Sequence, residues 1–195
     1  MNQKFLVTLL LALAIAPVFA QDAPGLHDTT ILIIRHAEKP ATGFTLTPEG
    51  EQRAQAYTNY FRNFTLDSQP LKLNYLIAAA NSENSHRPFL TLEPLSKAIP
   101  IDIDNRFPAK DFKRLADELR SHPHGKQILI CWHHGDIPQL AQALGADPAK
   151  LLPNGRWPDD VFCWVLQLRY DATGQLSDAR RINEDLMPGD SAHDK

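Results

Sequence analysis

The chain has 195 residues, a formal net charge of −3 at pH 7 and two cysteines, Cys131 and Cys163. This mild acidity argues against a nucleic-acid-binding protein, whose binding surface is normally basic. Two cysteines are also too few for a disulfide scaffold. Both lie in apolar, strand-like runs, where cysteine also behaves as a small hydrophobic residue, so a disulfide between them stays an open alternative.

The N-terminus has the pattern of a secretory signal peptide. Lys4 provides a positive charge, residues 5–16 are an uninterrupted apolar run, and Val18-Phe19-Ala20 offers small residues for cleavage after Ala20. The apolar run is shorter than the roughly 20 residues that a transmembrane helix needs, which disfavours a retained anchor. The sequence therefore predicts a periplasmic or secreted protein with no stable membrane span after cleavage.

The remaining chain divides into a lead-in, one domain and a tail. Residues 21–30 are a short polar lead-in, and residues 186–195 are a charged tail that contains proline and glycine. Neither segment has the pattern of a core element. Residues 31–185 are long enough for a single domain with a sizeable hydrophobic core.

Apolar runs and amphipathic stretches alternate along this domain. Thr47-Pro48 supplies a capping residue followed by a proline at the first helical position, which marks the start of the first helix. The alternation, with near-continuous aliphatic strands, predicts an α/β fold: a three-layer α/β/α sandwich around a central, mostly parallel sheet. The predicted strands are residues 31–34, 75–80, 99–103, 128–132, 161–170 and 180–183, and the predicted helices are residues 48–64, 85–98, 112–119 and 137–144.

Charged residues and histidines follow three of the predicted strands. Arg35-His36-Ala37-Glu38 follows the first, Ser85-His86-Arg87 comes shortly after the second, and His133-His134-Gly135-Asp136 follows residues 128–132. Because function collects at the carboxyl ends of the strands in open α/β sheets, we expect these groups to converge. Arginines that converge indicate an anionic ligand, since guanidinium groups bind phosphate or carboxylate through two parallel hydrogen bonds. A histidine beside them is suited to nucleophilic attack or proton transfer near neutral pH.

Two other phosphate- or metal-dependent chemistries are disfavoured. The sequence has no glycine-rich phosphate-binding loop of the P-loop type. A zinc site is the main chemical alternative, with His36, His133, His134 and Asp136 as its ligands. The two arginines would repel a dication in the same pocket, and no His-Glu-x-x-His spacing is present. We therefore predict no metal and no cofactor.

Four short motifs follow one another along the chain: Arg35-His36-Ala37-Glu38, Leu46-Thr47-Pro48-Glu49-Gly50, Arg87 with Thr91, and His134-Gly135. In this order they resemble the motifs of the histidine phosphatase (phosphoglycerate mutase-like) superfamily, in which alanine is usual at the position of Pro88. Two further segments, residues 132–138 and Trp157-Pro158, are similar to a subgroup with a Trp-Glu-His-x-x-Ile-Pro pattern. The resemblance covers most of residues 31–168 and implies the fold of that superfamily.

The resemblance implies a role for each matched residue. His36 is the nucleophile that becomes phosphorylated, and Arg35 and Arg87 bind the phosphoryl oxygens. His134 is the second catalytic histidine, which hydrogen-bonds the phosphoryl group. Neighbouring side chains of a strand point to opposite sides, so only one of His133 and His134 is expected to face the pocket, and the match to the His-Gly motif favours His134.

The proton donor for the leaving group stays open among three carboxyl groups. Glu83 lies in the loop after the second strand, where many members of the superfamily carry a glutamate donor, and Asp136 follows the second histidine motif. Glu38 is close to the nucleophile and ranks third. Its alternative role is an ion pair that orients Arg35 or Lys39, and Lys39 is a possible accessory charge at the mouth of the pocket.

The residues and the resemblance together predict an exported phosphatase. It would hydrolyse phosphomonoesters through a phosphohistidine on His36, without metal or cofactor. Its partner would be a small phosphorylated substrate or a phosphate group of the cell envelope. The alternative from a different class is a non-catalytic module on the same fold that binds phosphate or a polyanion without turnover.

Overall fold

The computed structural model describes residues 25–193. The predicted signal peptide, residues 1–20, lies outside the described residues, as do residues 21–24 of the lead-in. Short 3-10 turns are present at Pro153–Gly155 and Asp190–His193. The strands and α-helices in chain order are β1 Thr30–Arg35, α1 Pro48–Arg62, β2 Thr65–Leu66, β3 Gln69–Pro70, β4 Tyr75–Ala78, α2 Arg87–Ala98, β5 Ile103–Asp104, α3 Phe112–Ser121, β6 Gln127–Trp132, α4 Ile137–Ala143, α5 Pro148–Leu151, β7 Trp164–Tyr170 and β8 Leu176–Asn183.

Six strands form the central sheet, in the order β5-β4-β6-β1-β7-β8. Strands β5, β4, β6 and β1 pair in parallel, whereas β7 is antiparallel to β1 and β8 is antiparallel to β7. Strand β1 is buried along its whole length, and its register places Arg35 beside Trp132 of β6. The carboxyl ends of β1, β4 and β6 therefore lie at one edge of the sheet, which is the edge where α/β proteins place their sites.

Helices cover both faces of this sheet. Helices α1 and α2 pack on one apolar cluster, through Tyr57 and Leu92 among others. Helices α3 and α4 pack on a second cluster, to which Leu115 and Leu140 belong. Alternate side chains of β1 enter the two clusters, as the two-residue period of a strand requires. The predicted three-layer sandwich with a mostly parallel sheet is confirmed.

Helix α1 begins where the sequence predicts. The Thr47 side chain accepts a hydrogen bond from the Gly50 amide at 3.1 Å, and Pro48 occupies the first helical position. The predicted strand at residues 99–103 is shorter than expected. The Ile99 and Ile101 amides bond back to carbonyl groups at the end of α2, so pairing with β4 begins only at Ile103.

Both terminal segments contribute to the core where the structure describes them. Leu26 is 4% exposed and packs in the cluster under α3 and α4, and Asp190 is 5% exposed. The expectation that the lead-in and the tail lie outside the core therefore does not hold for these two residues. A single buried residue within a polar stretch leaves no hydrophobic periodicity by which the sequence could reveal it.

Two further expectations concern the cysteines and membrane spans. Cys131 and Cys163 are buried as free thiols, so the open disulfide alternative is not realised. Across residues 25–193, every helix is too short or too polar to cross a membrane.

Candidate active site

His36 directly follows β1 at the carboxyl edge of the sheet. It is 2% exposed, and its amide donates to the Trp132 carbonyl at 3.0 Å. Its ring Nδ1 lies 2.7 Å from the Ala37 carbonyl oxygen, and because a carbonyl only accepts, Nδ1 carries the proton and Nε2 keeps its lone pair. Burial holds the pKa of His36 well below its usual value, even though the Ala37 carbonyl favours the protonated form. The ring is therefore neutral at pH 7, the form in which an imidazole acts as a nucleophile.

Arg35 is fully buried and is held by the loop that leads into β7. Its Nη1 donates to the carbonyl oxygens of Pro158, Asp159 and Val161 at 3.2, 2.7 and 2.8 Å. The guanidinium carbon lies 3.8 Å from the ring centroid of Phe162. These contacts leave Nε and Nη2 buried and without a hydrogen-bond partner among residues 25–193. Burial lowers the pKa of Arg35 to about 10, so the group stays charged at neutral pH with donors that suit an anion.

Arg87, at the start of α2, brings a second guanidinium group to the same edge. Its Nη1 donates to the Gly43 carbonyl at 2.9 Å, while its Nε is buried and has no partner in the described part of the chain. Thr91, one turn later, is fully buried; its hydroxyl accepts from the Ala37 amide at 2.9 Å and donates to the Arg87 carbonyl at 2.8 Å. Thr91 thereby links the start of α2 to the segment that carries His36.

His133 is the histidine whose ring contacts that of His36. The ring centroids of His133 and His36 are 5.2 Å apart, with the planes at 71°. Burial, and then the positive charge of Arg87, lower the pKa of His133 to about 4. The sequence favoured His134 for the place in the pocket, because it matches the His-Gly motif. The structure instead brings His133 against His36.

His134, the next residue, lies near Arg35 and contacts the loop before β7. Its Nε2 is 2.9 Å from Oδ1 of Asp159, a residue that the sequence analysis did not single out. Burial lowers the pKa of His134, and the nearby charge of Arg35 acts in the same direction. Both histidines follow the end of β6 at Trp132, so strand alternation does not apply to them, and both lie at the edge where His36 and Arg35 lie.

The three carboxyl groups considered as proton donors occupy different environments. Glu83 is exposed, in a turn between β4 and α2 that two backbone hydrogen bonds between Ser82 and Ser85 close. Asp136 is 7% exposed, and its Oδ1 accepts from Lys110 at 2.7 Å. The negative charge of Asp136 also acts on His133. These two carboxyl groups stay candidates for the proton donor.

Glu38 has a different role from the one expected. Its Oε1 accepts from Nε of Arg53 at 2.8 Å, so its ion pair orients Arg53 and not Arg35 or Lys39. Lys39 is exposed, and its charge acts on His134. The alternative role for Glu38, an ion pair with Arg35 or Lys39, is therefore wrong.

Arg53 is the centre of a buried charge network that includes Glu38, two residues after His36. It is 3% exposed, and its two terminal nitrogens donate to the two carboxylate oxygens of Asp190 at 2.8 Å each. Burial alone would lower the pKa of Arg53, but the hydrogen bonds to Asp190 and Glu38 raise it overall. Glu184 lies 4.0 Å from Arg53, and burial raises the pKa of its carboxyl to about 8. The helical pattern of the sequence could have indicated that Arg53 is buried, because Arg53 lies on the same buried face of α1 as Tyr57.

The arrangement brings together the neutral imidazole of His36 and two guanidinium groups with uncommitted buried donors. Such a set can hold an anion with several oxygens and attack its central atom. Across residues 25–193, no group of three or more histidine, cysteine, aspartate or glutamate side chains is arranged to hold a metal ion.

Comparison with known proteins finds similarity at the level of structure. No protein-family model matches the chain, and no curated protein matches it either. Phosphoglycerate mutase from Plasmodium falciparum is 17% identical, and the match covers 82% of this chain and 92% of that protein with a TM-score of 0.55. The protein histidine phosphatase SixA, solved in complex with tungstate, is 14% identical over 80% of this chain and 97% of its own, with a TM-score of 0.50. The chain has the phosphoglycerate mutase-like fold.

Proposed function

We propose that the protein is a phosphatase of the histidine phosphatase superfamily that hydrolyses phosphomonoesters through a phosphohistidine on His36. The observation that carries the proposal is the neutral His36 ring, with its lone pair on Nε2, beside Arg35 and its two uncommitted buried donors. The order of the four motifs supports it further, as does the similarity of the fold to that of the protein histidine phosphatase SixA.

The chemistry divides into two steps on His36. In the first, Nε2 attacks phosphorus and the bond from phosphorus to the ester oxygen breaks. Arg35 and Arg87 stabilise the charge on the equatorial oxygens, a task for which fixed, desolvated donors are effective. In the second step, water attacks the phosphohistidine, phosphate leaves and His36 regains its lone pair. Guanidinium groups supply the positive charge, so the proposal includes no metal ion.

Export is part of the proposal. The apolar run at residues 5–16 and the small residues before Gln21 support a periplasmic or secreted location. The substrates are then phosphate groups of the cell envelope or phosphate esters outside the cytoplasm. Cell fractionation with a mass measurement of the mature protein tests this. Cleavage after Ala20 is expected, and an uncleaved protein in the cytoplasm would contradict export.

The catalytic proposal is tested with purified protein and p-nitrophenyl phosphate. His36→Ala should abolish turnover and the alkali-stable phosphoenzyme, whereas His122→Ala, at an exposed position after α3, should leave both intact. Full activity of His36→Ala would exclude the mechanism.

The alternative of a phosphate-binding module is favoured by one observation: Asp136 and Glu38, two of the candidate proton donors, are both engaged in ion pairs. Tight binding of inorganic phosphate without hydrolysis would support that alternative.

A further inference from the structure

The segment between β1 and α1 presents an exposed phenylalanine, Phe44. Residues 41–45 are all exposed, and Phe44 is the one exposed large hydrophobic residue among residues 25–193, at 45%. Residues 40–48 contain no charged side chain. Single apolar residues are common on protein surfaces, so the contacts and the position of Phe44 decide whether it has a function.

Two contacts of the backbone hold Phe44 against the start of α2. The Gly43 carbonyl accepts from Nη1 of Arg87 at 2.9 Å, and the Phe44 carbonyl accepts from the His86 amide at 2.9 Å. Two residues further along, Leu46 is buried in a small apolar cluster. The backbone around Phe44 is therefore fixed, and the exposure of its ring is a property of the fold.

The contact with Arg87 places Phe44 next to the residues of the site. Burial lowers the pKa of both His36 and His133, and the positive charge of Arg87 lowers it further, so the guanidinium group lies close to both rings. The same guanidinium holds the carbonyl of Gly43, the residue before Phe44. Phe44 therefore lies beside a group that is suited to bind a phosphoryl oxygen.

The rings of Phe44 and His86 contact each other at this position. Their centroids are 4.7 Å apart, with the planes at 50°. His86 precedes α2, but its side chain makes no capping hydrogen bond, and the residue is half-buried. An aromatic surface beside a phosphate donor suits the apolar face of another ring, because the burial of apolar area and the offset packing of rings both favour that contact.

We infer that Phe44 and His86 form a subsite for the leaving group, and that the substrates are phosphomonoesters of ring alcohols. The chemistry that the subsite recognises is a ring with an apolar face, as in an aryl ester or a sugar phosphate. Arg35 and Arg87 hold the phosphoryl group, whereas the pair of rings holds the alcohol that is bonded to it. The inference rests on the proposed phosphatase function and specifies its substrate class.

This subsite contributes to only one of the two steps. The alcohol is present until the bond from phosphorus to the ester oxygen breaks, and it is absent from the phosphohistidine that water attacks. Loss of the ring contact should therefore lower kcat/KM, which reports the steps up to the phosphohistidine, and should leave hydrolysis of the phosphohistidine unchanged. Inhibition by inorganic phosphate should not change either, because phosphate has no ring.

The experiment measures kcat/KM for phenyl phosphate, glucose 1-phosphate and β-glycerophosphate, which carry an aryl ring, a sugar ring and no ring. Phe44→Ala should lower kcat/KM by about 10-fold for at least one of the ring esters, and by about 2-fold or less for β-glycerophosphate. His86→Ala should show the same selectivity with a smaller loss. A loss for phenyl phosphate alone identifies an aryl ring as the ligand, and a loss for glucose 1-phosphate alone identifies a sugar ring. Thr42→Ala, at an exposed position of the same segment, is the matched control and should leave all three values unchanged.

Folding does not limit this test, because Phe44 is exposed and its replacement should leave the urea midpoint unchanged. Equal losses for all three esters in Phe44→Ala, or no loss for either ring ester, would overturn the subsite. Weaker inhibition by inorganic phosphate in the same variant would also overturn it, since Phe44 would then act through Arg87. If the wild type forms a phosphoenzyme on His36 but Phe44→Ala shows no selectivity, the subsite alone has failed. If the wild type forms none with any of the esters, the proposed function has failed, and the subsite with it.

Discussion

Two buried arginines, Arg35 and Arg53, lie close to the segment that carries His36, and the groups that surround them differ in charge. Arg53 is neutralised by carboxylates on two sides, Glu38 and Asp190, and these hydrogen bonds raise its pKa. Arg35 meets three backbone carbonyl groups and the face of Phe162, and burial lowers its pKa to about 10. Both guanidinium groups are charged at neutral pH, yet only one is already paired with anions.

This difference distinguishes an arginine that stabilises the fold from an arginine that is available to bind an anion. A buried guanidinium with two carboxylate partners has little capacity for another anion, and it ties its partners together. A buried guanidinium held by neutral carbonyl groups keeps its charge and its free donors for a ligand. Arg53 therefore connects α1, Glu38 and the C-terminal segment, whereas Arg35 keeps two donors, Nε and Nη2, without a partner in the described part of the chain. The following variants test this distinction between Arg53 and Arg35.

The largest effect is expected for Arg53→Met, on stability. The change leaves the carboxylates of Glu38 and Asp190 buried without their cation, and breaking a buried ion pair on one side costs about 3–5 kcal/mol. Urea denaturation should show this loss in the free energy of unfolding. Arg62→Met, at an exposed position in the last turn of the same helix, should change stability by about 0.5 kcal/mol or less. Equal midpoints for the two variants would show that Arg53 is not a structural charge.

Arg35→Met should have its main effect on turnover. Loss of a fixed donor that stabilises charge in the transition state lowers kcat by about 10²–10³-fold. The methionine side chain keeps an apolar contact with Phe162, so the loss of stability should be smaller than in Arg53→Met. Single-turnover formation of the phosphoenzyme and urea denaturation measure the two effects. Arg35 would join Arg53 as a structural residue if its replacement destabilised the protein equally and the folded fraction kept full activity.

The fold could be predicted from the sequence because the strands are aliphatic and the residues that begin helix α1 have a recognisable capping pattern. Ile31 to Ile34 and the start of α1 at Thr47-Pro48 each follow from a local rule, and the alternation of elements then leaves few topologies. Arg35, His36 and Arg87 were also expected at one sheet edge, because each follows a strand of the predicted sheet. The structure brings these three together.

The remaining features of the site depend on contacts between distant segments. Asp159 reaches His134, and Asp190 reaches Arg53, across separations that no local pattern encodes. β6 ends at Trp132, so the path of the loop after it decides which of His133 and His134 contacts His36, and a motif match cannot fix that path. The sequence could show which types of reactive and charged residue are present, but not which carboxylate pairs with which cation.

The smallest expected effect concerns the third carboxyl group near Arg53. Burial raises the pKa of Glu184 from 4.5 to about 8, so in the folded protein the group is protonated at pH 6 to 7 while in the unfolded chain it is ionised. The native state then binds more protons than the unfolded state, and the contribution of Glu184 to stability falls as pH rises between about 4.5 and 8. The slope for one such group is about 1.4 kcal/mol per pH unit.

Glu184→Gln removes this titration and keeps the shape of the side chain. The free energy of unfolding of the variant relative to that of the wild type should therefore rise by about 1.4 kcal/mol between pH 6 and pH 7, as measured by urea denaturation at both values. Asp185→Asn, at the exposed neighbouring position, serves as the control and should show no such rise. A difference that stays constant with pH would mean that Glu184 is ionised when folded. Arg53 would then be balanced by three carboxylates instead of two, and its contrast with Arg35 would be greater still.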